Sequence, residues 1–194
     1  AAGYAVSAAA VGYSAYRLRE ERNTKVIPML SVLSAFVFAA QMVNFPVGPS
    51  SGHLGGGILL AALLGPYAAV LGMSAVLIIQ CLLYADGGLL ALGLNIFNMG
   101  VVPALIYAAA SRMLGGTVAE RRGLRIGVAA GAAYIAVLAG AALVPLEVSY
   151  SKVSMPFATF VGLMLGVHAL IGLGEASITA AVTALLVSVR PEAF

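Results

Sequence analysis

The sequence predicts an all-α, polytopic integral membrane protein of about seven transmembrane helices, with its N-terminus outside and its C-terminus inside. Three observations predict it. Of 194 residues, 62% are hydrophobic and 9% charged, at a mean hydropathy of +1.05, whereas about a quarter of an ordinary soluble domain is charged. The apolar residues fall in runs of the length a helix needs to cross a hydrocarbon core, about 20 residues. The basic residues gather at the ends of those runs, as the topology rule for short cytoplasmic loops requires.

The runs cover 1–18, 26–43, 54–65, 67–84, 90–112, 123–144 and 156–188, within one transmembrane domain spanning 1–194. The first is rich in small residues, and the Ala5/Ala9 spacing places two of them on one face, where another helix can approach closely. Both packing within the chain and docking on a partner subunit would use such a face. The third and fourth runs are divided at Gly65-Pro66, because proline lacks an N–H and disfavours helix in the residue before it. Charge supports the division. Arg17, Arg19, Arg22 and Lys25 lie in the first connection and Arg112, Arg121, Arg122 and Arg125 in the fifth; an even number of spans between them puts both clusters on one side. The run 54–65 is too short to cross as a straight helix and should be buried among its neighbours, while the last run is long enough to tilt or protrude. The segments Asn44–His53, Ala85–Gly88 and Pro145–Met155 then fall outside.

The residues also exclude several function classes. Net charge is only +3, and no aromatic-basic interleaving suggests a nucleic-acid partner; the bilayer accounts for the charge pattern. Cys81 is the only cysteine, so there is no internal disulfide and no cysteine-based metal cluster. The lysines, Lys25 and Lys152, are not part of a Gly-x-x-x-x-Gly-Lys-Ser/Thr phosphate loop, and neither His-Glu-x-x-His nor Gly-x-Ser-x-Gly occurs. An enzyme is therefore not expected, and the chain should not hydrolyse ATP itself. The chain starts at Ala1 with no basic n-region, so the first run reads as a membrane helix rather than a signal peptide, and native residues are expected to precede it.

Chemistry concentrates in two places. Asn44-Phe45-Pro46-Val47-Gly48-Pro49-Ser50-Ser51-Gly52-His53-Leu54-Gly55-Gly56-Gly57 is a Gly/Pro/Ser-rich stretch between two apolar runs. Lipid cannot satisfy non-helical backbone, so such a stretch belongs at an interface, in a protein-lined cavity or at a site. His53 carries a nitrogen suited to Ni, Co, Cu or Zn; as a lone histidine it reads first as an interfacial cap or hydrogen-bonder and second as a ligand. Asn44 and Gln41 are placed to orient this loop. The second place is the last run, where His168 and Glu175 stand seven residues apart on one helix face. Ionisable groups within a span face the bundle interior or a water-filled cavity. They read either as a proton relay or as a buried polar network, with Gln80, Asn95 or Asn98 as further members. Asp86, before Gly87-Gly88, reads first as a turn former.

Taken together, Asn44-Phe45-Pro46-Val47, Ser51-Gly52-His53-Leu54, Leu64-Gly65-Pro66, Ile79-Gln80, Ala85-Asp86-Gly87-Gly88, Leu92-Gly93-Leu94-Asn95-Ile96-Phe97-Asn98-Met99 and the stretch His168–Thr179 resemble the CbiM/NikM family. These are the substrate-binding membrane subunits of energy-coupling-factor cobalt/nickel importers, and the resemblance runs along the whole chain. It implies a subunit that captures Co²⁺ or Ni²⁺ as transported substrate, with no resident cofactor. The implied partners are a transmembrane coupling subunit, two cytoplasmic ATPase subunits and, for cobalt, a small accessory membrane subunit, all at a bacterial or archaeal cytoplasmic membrane. It also implies nitrogen ligands from an N-terminal Met-His segment and from the histidine of Ser-Gly-His, which is His53. Ala1-Ala2-Gly3-Tyr4 does not match that segment, leaving two alternatives: a segment absent from this stretch, or a site that has lost those ligands.

The expected site is thus His53 as metal ligand, with Asn44, Ser51 and Asp86 as candidates to orient it and Ala5 and Ala9 as candidates for docking on the coupling subunit. The rivals are a stand-alone proton-coupled secondary transporter using His168 and Glu175, and a non-transporting membrane scaffold.

Overall fold

The computed structural model describes residues 2–21, 26–48, 50–115, 121–149 and 155–189. Arg22, Lys25 and Lys152 lie outside them. The elements in chain order are α1 (Ala2–Glu21), α2 (Val26–Gln41), β1 (Asn44–Val47), β2 (Ser50–His53), α3 (Gly57–Leu64), α4 (Pro66–Tyr84) and α5 (Gly88–Ile96). A π-helical turn, Phe97–Val101, carries α5 without a break into α6 (Val102–Met113); α7 (Arg122–Val148) and α8 (Phe157–Val189) complete the chain.

Each apolar run of the sequence becomes a helical segment, and the third and fourth separate where expected. Gly65 takes φ +84°, and Pro66 begins α4, where a missing N–H costs nothing. By length and composition, four segments can cross a membrane among the described residues: Pro66–Tyr84, Gly88–Met113, Arg122–Val148 and Phe157–Val189. Helix α2 is shorter, at 16 residues, and α3 has only eight. The multi-pass character stands, but a strictly all-α fold does not: Asn44–Val47 and Ser50–His53 form an antiparallel hairpin in which Asn44 faces His53 and Val47 faces Ser50. Pairing the two strands lets their backbone groups satisfy each other inside a helical bundle.

Helix α3 is the centre of the core. Ile58 through Leu63 are buried, ringed by Leu33 and Val37 of α2, Met73 and Leu77 of α4, Leu92 and Ile96 of α5, Tyr107 of α6 and four alanines of α7, at 129, 132, 133 and 136. Around it the polarity is that of a membrane bundle. On α8, His168, Glu175, Thr179 and Thr183 face inward, whereas Leu170, Leu173 and Leu185 are 72%, 58% and 59% exposed. Lipid gives apolar side chains no reason to hide, so small residues and polar contacts carry the packing. Helix α1 illustrates this: its buried residues are Ser7 and Ser14, and the Ser7 hydroxyl donates to the Gly93 carbonyl at 2.6 Å. There the backbones of α1 and α5 nearly touch, since a Cβ on Gly93 would lie 2.7 Å from the Tyr4 nitrogen.

Both basic clusters meet at one end of the bundle. The Arg17 guanidinium lies 5.2 Å from the ring of Tyr67, in the first turn of α4, while Arg125 donates to the carbonyl of Ala62, in the last turn of α3, at 3.0 Å. They converge on the two sides of the Gly65-Pro66 joint.

Candidate functional site

The hairpin does not project from the bundle; it lies along α8. A Cβ on Gly48 would touch Leu163 at 3.8 Å, and Gly55, just beyond the hairpin, donates its N–H to Glu175 Oε2 at 2.8 Å. Those two contacts are 12 residues apart on α8, about 18 Å at 1.5 Å per residue. His53 is therefore half-buried in the protein interior rather than at a solvent-facing turn.

Three elements fix it there. Glu175 accepts the N–H groups of both Gly55 and Gly56, the latter at 2.5 Å. Gln41, at the end of α2, donates from Nε2 to the Gly55 carbonyl at 2.5 Å. Gly56 has φ +82°, with Val37 so close that a Cβ would lie 2.5 Å from Cγ1; this is a place where only glycine fits without strain. On the other side, a Cβ on Gly52 would lie 3.2 Å from His168 Nε2, so the hairpin backbone rests against that ring.

The two histidines are oriented alike. His53 Nδ1 is 2.9 Å from the Leu54 carbonyl and His168 Nδ1 is 2.8 Å from the Met164 carbonyl. A carbonyl only accepts, so each Nδ1 carries a proton, which in a neutral ring leaves the lone pair on Nε2.

Of these groups, His53, Gly55, Met164, His168 and Glu175 line one cavity of about 580 Å³. Ser51, His53, Gln80, Asp86, Asn95, Asn98, His168 and Glu175, all read from sequence, are joined there by Glu147. Three carboxylates and two histidines thus share a space that, among the described residues, no lysine or arginine lines. Asn44 pairs with His53 across the hairpin but is exposed and does not line the cavity. His168 and Glu175 each bond to backbone, the one within its own helix and the other across to the loop after β2. Ala5 and Ala9 are exposed on α1. Among the described residues, no three His, Cys, Asp or Glu side chains gather closely enough to enclose a metal ion.

Glu147 is the residue that sequence reading missed. A lone acid near the end of an apolar run resembles an interfacial residue, and nothing in Leu146-Glu147-Val148 reveals its partner. Asn98 Nδ2 donates to its Oε2 at 2.9 Å.

Comparison with known proteins places this architecture. The profile of the family described as the cobalt uptake substrate-specific transmembrane region, CbiM, matches residues 1–193. A putative fused nickel transport protein of Archaeoglobus fulgidus is 38% identical over 97% of the chain, which spans 62% of that longer protein. A putative metal transport protein of Haloquadratum walsbyi is 38% identical, with 96% of this chain and 84% of the relative covered. Among solved structures, a truncated transition metal transporter superposes with a TM-score of 0.81 at 26% identity, covering 96% of this chain and 92% of that one. The chain, with a helical bundle closed around an acidic and imidazole-lined cavity, belongs to the CbiM family.

Proposed function

We propose that this chain is the substrate-capturing membrane subunit of an ATP-driven importer for Co²⁺ or Ni²⁺, and that His53 Nε2 is a ligand to the captured ion. The cavity carries the reading: its described lining holds three carboxyl groups and two imidazoles and no lysine or arginine, a space suited to a divalent cation. His53 supplies one nitrogen. The remaining nitrogens come from an N-terminal Met-His segment of the kind the family carries, which agrees with the lack of a three-residue metal cluster among the described residues.

The chain sits in the cytoplasmic membrane of a bacterium or archaeon. The end bearing Arg17 and Arg125 is cytoplasmic by the charge rule. The cavity, bounded by the hairpin, Asp86 and the far end of α7, then faces outward, as uptake requires. As the family resemblance implies, ATP is hydrolysed by two cytoplasmic subunits acting through a transmembrane coupling subunit, with a small accessory membrane subunit in cobalt systems.

Calorimetry with Co²⁺ and Ni²⁺ tests this on three proteins: the chain preceded by Met-His, the chain as given, and the extended chain carrying His53→Ala. Binding by the extended protein alone, lost in His53→Ala, is the expected result. Absence of binding by all three sinks the capture role. Uptake that survives ATPase inactivation and collapses with the proton gradient would instead select proton-coupled transport through His168 and Glu175. Both Glu175 oxygens are already engaged by backbone N–H groups, which favours an anchoring role over a relay.

A further inference from the structure

The cavity holds a second group of polar side chains that His53 does not use. Asn98 sits in the π-helical turn, is 5% exposed, and holds Glu147 through Nδ2 while its Oδ1 has no hydrogen-bond partner among the described residues. Gln80, on α4, is 1% exposed, and neither its Oε1 nor its Nε2 has a partner there. Buried amides in native proteins are almost always satisfied, so unpartnered ones lining a cavity point to an occupant that satisfies them. Glu147 is a carboxylate at a helix end with an amide beside it, and the described residues of the cavity wall include no lysine or arginine. A cation is the occupant that suits this carboxylate and the amide oxygens beside it. π-Helical turns are themselves frequent at functional sites.

We propose that Glu147, Asn98 and Gln80 form a second, oxygen-rich position for a hydrated divalent cation, separate from the nitrogen of His53. It rests on the reading that the cavity receives a divalent metal. The ion would keep its water shell, because one carboxylate and two neutral amides are too few to replace it. Its waters donate to the free carboxylate oxygen of Glu147 and to the amide oxygens, and the Gln80 NH₂ donates to a water oxygen. Size allows this. Six waters at about 30 Å³ each occupy roughly 180 Å³, well under the 580 Å³ available. Transport gains a staging point: an ion with its waters waits on oxygen before, or after, it exchanges them for nitrogen.

Mn²⁺ separates this position from the nitrogen site, since it prefers carboxylate, carbonyl and water and ranks lowest among first-row divalent ions for nitrogen ligands. Electron paramagnetic resonance titration of the purified chain with Mn²⁺ should show a bound ion. Its affinity should fall at least tenfold in Glu147→Gln, recover in part in Glu147→Asp, and stay within twofold of wild type in His53→Ala. A drop in His53→Ala equal to that in Glu147→Gln would mean a single site and overturn the proposal, as would an absence of bound Mn²⁺ in the wild type. Loss in Glu147→Gln with no recovery in Glu147→Asp would make the residue structural and also overturn it. The Mn²⁺ signal does not depend on Co²⁺ or Ni²⁺ calorimetry, so a failure of the capture reading is distinguishable from a failure of this one.

Discussion

Glu175 grips Gly55 across 120 residues of chain, accepting its N–H at 2.8 Å, and this one carboxylate ties the last helix to the loop that follows His53. The second oxygen holds Gly56. A carboxyl group shared by two part-buried N–H groups is a strong anchor, and removing it strands both donors, at up to about 1–3 kcal/mol each.

Glu175→Ala should therefore reduce metal uptake at least tenfold in cells that still insert the protein. Glu175→Gln should fall between it and wild type, because its NH₂ turns a donor toward a donor. Gln41→Ala, which frees only the Gly55 carbonyl, should be milder than either. Radiometal uptake normalised to membrane expression gives the order; a Gln41 effect larger than that of Glu175 would contradict it.

Gly56→Ala should destabilise the chain by about 1–3 kcal/mol, since alanine must adopt φ +82° and its Cβ meets Val37. Gly131→Ala is the control. Nothing lies within 4 Å of a Cβ there, and the residue is inside α7, where alanine is the better helix former. Thermal melts in detergent should show a clear loss for the first and none for the second.

Much of this was legible in the residues and some was not, for separable reasons. The helical segments announce themselves as apolar runs, and the α3/α4 break follows from proline's missing donor at Pro66. The hairpin is hidden because Pro46, Gly48 and Pro49 are turn residues; what makes Asn44–His53 pair is enclosure against α8, a tertiary effect. His53, His168 and Glu175 stand out because ionisable groups are rare in such a chain. Their arrangement does not. The partner of Glu175 is backbone N–H, which leaves no residue signature, and Glu147 meets Asn98 only because α7 folds back beside the π-helical turn.

Gly93→Ala should loosen α1, because the added Cβ meets the backbone of Gly3 and Tyr4, which can yield only by moving the helix. Ser7→Ala removes the hydrogen bond to the Gly93 carbonyl without a clash and should cost less, about 1 kcal/mol. Melting temperatures that rank Ser7→Ala as the worse variant would count against close backbone packing of α1 on α5.

Ala5→Leu and Ala9→Leu should leave the isolated chain as stable as wild type, because both positions are exposed on α1. In the assembled importer the same changes should reduce co-purification of the coupling subunit. Assembly that withstands both leucines would remove this face from the docking surface.

The π-helical turn at Phe97–Val101 sets a rotational phase for everything after it. One residue more or less turns a helix by about 100°, so deleting a single residue there would swing the α6 face that carries Pro103, Ala104 and Tyr107 away from the core while leaving α5 in place. The chain between Gly88 and Met113 is thus two helices of different azimuth on one axis. The inserted residue sets the azimuth at which the first presents Asn95 to the cavity and the second packs Tyr107 into the core around α3.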